Sequence, residues 1–200
     1  MAGIATLDFW FEFASTYSYP AAMRIGALAE ASRVTVRWRP FLLGPIFKDQ
    51  GWTTSPFNLY PAKGRYMWRD LARICDDLGL PFAQPQPFPQ NTLLAARVAL
   101  LGLAQDWGKN FCRAVYAAEF GGGRNIAEPA VIADILAGLK LDSRALLEQA
   151  QTDDTKSRLR AQNEQAAKLG VFGAPTFIAA DGELFWGNDR LEAALRWASK

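Results

Sequence analysis

The stretch Leu7-Asp8-Phe9-Trp10-Phe11-Glu12-Phe13-Ala14-Ser15-Thr16-Tyr17-Ser18-Tyr19-Pro20 carries a strand-to-helix transition, and the fold is built outward from it. Leu7, Phe9, Phe11 and Phe13 alternate with Asp8, Trp10 and Glu12. This period of two predicts a strand with one buried face. Ser15, Thr16 and Ser18 then offer three candidate helix caps, and Pro20 suits a first helical turn. Ala21, Ala22, Ile25, Leu28 and Ala29 follow at helical spacing. Hydroxyls therefore cluster where a strand runs into a helix. Free backbone N–H groups and the positive end of the helix dipole favour an anion there. Capping of the helix is the simpler use of the same hydroxyls.

The wider chain limits what chemistry is open to this junction. Two hundred residues, half of them apolar, suffice for one full core, or for one domain with a large insertion. A net charge of +2 without a long basic run gives no electrostatic case for nucleic acid. No apolar run reaches membrane-spanning length and the N-terminus lacks signal-peptide character, so a cytoplasmic protein is expected. Histidine is absent. That excludes a Ser-His-Asp triad, a Cys-His pair and the usual zinc sites, and no metal is expected. Cys75 and Cys112 each stand among apolar residues at helical spacing, outside any Cys-x-x-Cys motif, and read as buried, unpaired thiols.

After the first strand and helix, Val34, Val36 and Trp38 alternate with Thr35, Arg37 and Arg39 up to Pro40. Strand, helix and strand make a βαβ unit with a right-handed crossover. Phe41 to Pro61, rich in Gly and Pro, reads as a long irregular connection, and such loops are often functional. Helical patterns follow: Met67, Leu71, Ile74 and Leu78; Leu94, Val98 and Leu101; Phe111, Val115 and Ala118; Ile132, Ile135, Leu136 and Leu139; Leu146 and Leu147. None of these stripes carries ionisable groups at ligand spacing, so they predict a packed helical block. A linker without regular structure, Pro81 to Pro89, interrupts them. A further helix, capped near Asp153 or Asp154, ends at Gly170. Asp181-Gly182 signals a hairpin between two short apolar runs, and Asn188 or Asp189 is placed to cap a last helix bearing Leu191, Leu195 and Trp197.

The order βαβ, helical block, ββα predicts an α/β chain of thioredoxin-like fold with a large all-helical insertion. Residues 1–45 and 168–200 would form a discontinuous thioredoxin-like domain, with 46–167 as the inserted helical domain. In such a fold the Pro175 of Gly173-Ala174-Pro175-Thr176-Phe177 stands before the third strand, faces the first helix and is commonly cis. The N–H and C=O of Ala174 would then be free to pair with an extended peptide.

Four motifs in this order resemble the 2-hydroxychromene-2-carboxylate isomerase family and its kappa-class glutathione transferase relatives, within the DsbA-like thioredoxin group. They are Phe9-x-Phe11-x-Phe13-Ala14-Ser15-x-Tyr17-Ser18-Tyr19; Pro61-Ala62-Lys63-Gly64-Arg65-Tyr66-Met67 with Asp70 and Gly79-Leu80-Pro81-Phe82; Gly170 to Phe177; and Phe185-Trp186-Gly187-Asn188-Asp189-Arg190-Leu191. The chain departs from the family pattern at Thr16, where proline is usual, at Ala174, where valine is usual, and at Trp52.

The resemblance implies glutathione as cofactor. Ser15 would be the catalytic residue, donating a hydrogen bond that favours the thiolate, as a helix N-terminus also does. The missing histidine is then no obstacle, because the cofactor brings the nucleophile. Ala174 and Pro175 would bind the cysteinyl part, and Asn188 and Asp189 the γ-glutamyl end. Lys63 would meet a carboxylate of glutathione or substrate. Tyr17 and Trp52, ahead of Trp10 and Trp186, are candidates for an aromatic substrate pocket. The resemblance further implies a homodimer and a small-molecule aromatic substrate. The expected reaction is glutathione-dependent cis-trans isomerisation of 2-hydroxychromene-2-carboxylate or a related intermediate of aromatic degradation. A kappa-like transferase or peroxidase and a non-catalytic thioredoxin-like peptide-binding module are the alternatives.

Overall fold

A computed structural model of the chain describes residues 5–52 and 55–200. The first four residues of the expected 1–45 segment lie outside the described residues, as do residues 53 and 54 of the Phe41–Pro61 connection. The chain opens with β1 (Thr6–Phe11), α1 (Ser18–Ala31) and β2 (Thr35–Pro40). Helices α2 (Leu43–Asp49), α3 (Pro56–Leu59), α4 (Pro61–Asp77), α5 (Leu93–Leu103) and α6 (Gly108–Tyr116) follow. A π-helical turn over Ala117–Gly121 prolongs α6. Then come α7 (Pro129–Gly138), α8 (Ser143–Ala150) and α9 (Asp153–Lys168). The chain closes with β3 (Thr176–Ala179), β4 (Leu184–Trp186) and α10 (Leu191–Ala198).

The four strands form one sheet in the order β2-β1-β3-β4. β1 pairs in parallel with β2, Phe9 opposite Trp38, and antiparallel with β3, Phe9 opposite Phe177. This is the thioredoxin-like α/β arrangement that the two halves of the sequence predict, with a helical block inserted between them.

β1 departs from the one-faced strand that its alternation suggests. It is central, and Leu7, Phe9, Trp10 and Phe11 are all fully buried. Phe9 and Phe11 face the main core, where Phe9 stacks on Phe177 at 5.4 Å and meets Trp38 edge-on at 4.9 Å. Trp10 faces a second, smaller core with Phe41, Ile46, Ala166, Val171 and Ile178, covered by α2 and α9. Trp10 is therefore a core residue and lines no substrate pocket. Asp8 shares its face of β1. Its carboxylate is nearly buried but accepts from Arg37 at 2.6 and 3.1 Å and from Arg39 at 3.4 Å. Charge pairing lets a polar residue occupy a central strand.

Two further expectations are corrected. The Phe41–Pro61 segment is not wholly irregular, since it holds α2 and α3. Its Gly and Pro residues fall at helix ends, with Ser55 capping α3 ahead of Pro56. The cap of α9 is Thr152, whose hydroxyl accepts from the Thr155 N–H, rather than Asp153 or Asp154. Those two carboxylates occupy the first turn, where the helix dipole still favours them. Gly170, at φ +75°, follows the C-cap of α9 as expected.

Candidate active site

The junction after β1 is drawn together by short backbone contacts. The Ser15 N–H donates to the Glu12 carbonyl at 3.0 Å and the Ser18 N–H to the Ser15 carbonyl at 3.1 Å. The Ser18 N–H also reaches Ser15 Oγ at 3.3 Å. α1 is capped positionally by Tyr17, which makes no side-chain cap bond. Of the three candidate hydroxyls, Ser15 alone takes a helix-start N–H. Thr16 and Ser18 are buried.

Ser15 uses its proton elsewhere. Its Oγ donates to the Ala174 carbonyl at 2.8 Å, across 159 positions of sequence. The Ala174–Pro175 peptide is cis, and the Gly187 N–H donates to the Pro175 carbonyl at 2.9 Å. Among the described residues the Ala174 N–H takes no hydrogen bond. Serine, helix start and the edge of the Ala174–Pro175 loop thus face one another at hydrogen-bond distance. Gly173 completes the loop's support. A Cβ there would stand 2.5 Å from Trp186 Nε1, so only glycine lets the indole lie against the backbone. Trp186 is half exposed and packs on Phe172 at 5.0 Å, placing two accessible rings beside the loop.

Asn188 and Asp189 lie in a short 3-10 turn (Asn188–Arg190) before α10. Neither caps that helix, whose first residue follows Arg190. Asn188 is buried and held by Arg24 of α1. The Arg24 guanidinium donates to the Asn188 carbonyl at 2.7 Å and to its Oδ1 at 3.1 and 3.3 Å, and also pairs with Glu192. Arg24 was not legible as a site residue, because a lone arginine on an amphipathic helix reads as solvated surface. Its place seven residues after Tyr17, about two turns on along one face of α1, is the signal that could have found it. The Asp189 carboxylate is exposed, with the Arg190 guanidinium at 3.2 Å.

Tyr17 acts as a strut. Its hydroxyl donates to Asp70 Oδ2 of α4 at 2.9 Å and its ring lies near Phe57 of α3 at 6.4 Å. Burial and the Asp70 carboxylate push the phenol well above its usual range. This strut ties the start of α1 to the α3–α4 corner that carries Lys63. The Lys63 ammonium sits over the Tyr60 ring at 4.9 Å. Trp52 packs on Phe47 at 5.5 Å and is partly exposed. No hydrogen bond or ring contact among the described residues joins Lys63 or Trp52 to Ser15 or Ala174.

Beneath the junction lies a pair of buried carboxyls, Glu12 and Glu119. Glu12 accepts from the Thr92 hydroxyl, and its carbonyl accepts from the Tyr116 hydroxyl at 2.9 Å. Burial pushes its carboxyl up to about 7. Glu119 is fully buried and neither carboxyl oxygen has a partner. Burial, with Glu12 as a like charge, raises it well above the usual carboxyl range. Cys75 and Cys112 are both buried and free, and burial pushes the Cys75 thiol up to about 11. Neither is placed to act as a thiolate nucleophile. No cluster of metal-ligating side chains occurs among the described residues, nor any helix long and apolar enough to cross a membrane.

A thioredoxin-like sheet with an inserted helical block, in which a cis proline stands opposite the start of the first helix, is the fold of a DsbA-like protein. The chain belongs to the DSBA-like thioredoxin domain family, whose model matches residues 6–196. Within that group it is 31% identical, over 94% of either chain, to the 2-hydroxychromene-2-carboxylate isomerase of Sphingobium xenophagum. It is 28% identical to human glutathione S-transferase kappa 1, over 94% of this chain and 88% of that one. A solved structure of 2-hydroxychromene-2-carboxylate isomerase superposes with a TM-score of 0.85 at 26% identity, covering 96% of this chain and 95% of that one. These relatives identify the chain with an enzyme group of isomerases and glutathione transferases.

Proposed function

We propose that the chain is a glutathione-dependent isomerase of 2-hydroxychromene-2-carboxylate or a related ring-bearing carboxylate. The observation that carries this reading is the Ser15 hydroxyl held 2.8 Å from the Ala174 carbonyl at the start of α1. The residues present fit glutathione. A hydroxyl donor and a helix start suit its thiolate. The free Ala174 N–H suits its peptide backbone, and the exposed Asp189 carboxylate its ammonium. When bound, glutathione supplies a thiolate that adds reversibly to a conjugated double bond, allowing rotation before elimination restores it.

The chain's own residues do the rest. Ser15 turns its proton from the Ala174 carbonyl to the sulfur and so holds negative charge there. The Ala174 carbonyl, released from Ser15, accepts a peptide N–H in its place. Arg24 fixes Asn188, and the turn it anchors presents Asp189. Lys63, on the corner that Tyr17 braces, meets a carboxylate. Trp186, Phe172 and Trp52 offer ring surface to an aromatic substrate.

Ser15→Ala tests this assignment. A hydrogen bond to a charged group contributes about 1.5–3 kcal/mol, or roughly one to two pKa units. Glutathione thiolate absorbance should titrate at correspondingly higher pH in the variant, with turnover of the hydroxychromene carboxylate down roughly ten- to a hundred-fold near neutrality. An unchanged thiolate titration with unchanged turnover refutes the role. The kinship with kappa-class transferases favours one second reading, a transferase or peroxidase at the same site. Net consumption or oxidation of glutathione during turnover would select it, because isomerisation returns the thiol unchanged.

A further inference from the structure

A cavity of about 380 Å³ lies between α2, the start of α5 and α9, and none of the residues assigned above to glutathione or substrate lines it. We propose that it binds a small organic monoanion with an apolar body, an aromatic carboxylate being the class it fits. The proposal does not depend on the isomerase reading.

The floor is apolar, built by Ile46 and Leu159, both buried, and by Leu93. Three cations stand around it: Arg97, Lys156 and Arg160. Arg97 donates through Nη1 to Gln151 at 2.9 Å, but its Nε–H is shielded from solvent and has no acceptor. Its Nη2 makes no hydrogen bond among the described residues, and a carboxylate laid against that edge of the guanidinium would form a charge-assisted one. Arg160 makes no ion pair or hydrogen bond among the described residues, and Lys156 pairs only with the fully exposed Asp153 at 3.1 Å.

Asp49 and Glu164 also border the cavity, yet neither pairs with these cations. Three positive groups against two negative ones favour a single charge and disfavour a polyphosphate. The apolar floor likewise disfavours inorganic phosphate, which has nothing to bury there.

The cavity is held open by the protein itself. The Asn163 amide donates to the Leu42 carbonyl at 2.8 Å and accepts from the Leu42 N–H at 3.1 Å. Gln162 donates to the Pro40 carbonyl at 2.5 Å. These bonds pin the chain before α2 onto α9, so little ordering remains for a ligand to impose. Ile46 belongs both to the cavity wall and to the small core on which Ala174 packs, which makes the two sites neighbours without shared residues.

The test uses the full chain with 1-naphthoate as probe and 1-naphthalenemethanol as its neutral counterpart, by calorimetry. Saturable one-to-one binding of the naphthoate is expected, with the alcohol weaker by at least about ten-fold. Arg97→Gln combined with Arg160→Gln should weaken the naphthoate by a similar factor. Glutathione binding and the unfolding midpoint should not change. Should the double variant be poorly folded, Arg160→Gln alone, a surface change, should still weaken binding roughly three-fold or more. Absence of saturable binding at millimolar probe, equal affinity for the alcohol, unchanged affinity in the variants, or competitive displacement by glutathione would each overturn the proposal.

Discussion

The buried carboxyl pair makes a prediction about how stability depends on pH. Burial favours the neutral form of Glu12, moving its carboxyl from the usual 4.5 to about 7. The unfolded chain releases the same proton near the usual value. Between those two values the folded state therefore binds more protons than the unfolded one, and stability falls as pH rises. A shift of this size corresponds to roughly 3 kcal/mol, fully present below about pH 4.5 and lost once pH has passed about 7. Glu119, raised by burial and by the like charge of Glu12 and lacking any partner, should add to the decline. The assay is urea unfolding followed by tryptophan fluorescence, in steps from about pH 5 to about pH 8.5. Glu119→Leu removes one carboxyl and the repulsion it exerts on Glu12. Its stability should exceed that of the parent at the alkaline end, and its slope against pH should be shallower. Parent stability that is flat or rises across this range, or an identical slope in Glu119→Leu, would refute the reasoning.

Three further outcomes are expected. Arg24→Ala should raise the KM for glutathione roughly ten-fold with a smaller change in kcat, because it frees Asn188 rather than touching the sulfur; Arg24→Lys should rescue little, as an ammonium cannot reproduce the planar fork. Gly173→Ala should change the tryptophan emission and weaken glutathione binding, since its Cβ would meet Trp186 at 2.5 Å, and adding Trp186→Leu should restore part of the loss. Replacing Cys75 and Cys112 together by alanine should leave turnover per folded molecule nearly unchanged at a stability cost of about 1–3 kcal/mol, whereas complete loss in well-folded protein would make a protein thiol the nucleophile.

Much of the fold is periodic in the sequence. The β1–α1–β2 unit, the helical stripes and the Asp181-Gly182 hairpin all rest on local spacing, and local spacing is what burial selects. The failures share one cause: they depend on partners remote in sequence. Asp8 looks solvent-facing until Arg37 and Arg39 arrive from the neighbouring strand. Asn188 looks like a helix cap until Arg24 holds it from 164 positions away. α2 sits in a segment whose Gly and Pro content suggests a loop, yet Ile46 finds a buried place against α9. Glu119 continues the spacing of Phe111 and Val115, but a lone acid there reads as a break in the stripe until the structure shows it buried beside Glu12. The Ser15–Ala174 pairing was accessible only because two separate motifs, each weak, belong together in one architecture.

The same pairing sets an order of events for a chain made from its N-terminus. β1 lies between β2 and β3, but β3 is made only after the whole helical block. Until then β1 can pair on one side only, and its other edge stays open to any extended chain nearby. α9 and the small core around Trp10 also wait for Val171 and Ile178 from the last third of the sequence. Fragments that stop before β3 are thus expected to expose an aromatic strand edge and to lack the Ser15–Ala174 site. Truncations that stop before residue 176 should aggregate rather than bind weakly. Ligand recognition thus waits on the joining of two segments far apart in sequence, because Ser15 meets its counterpart only once Ala174 has been made.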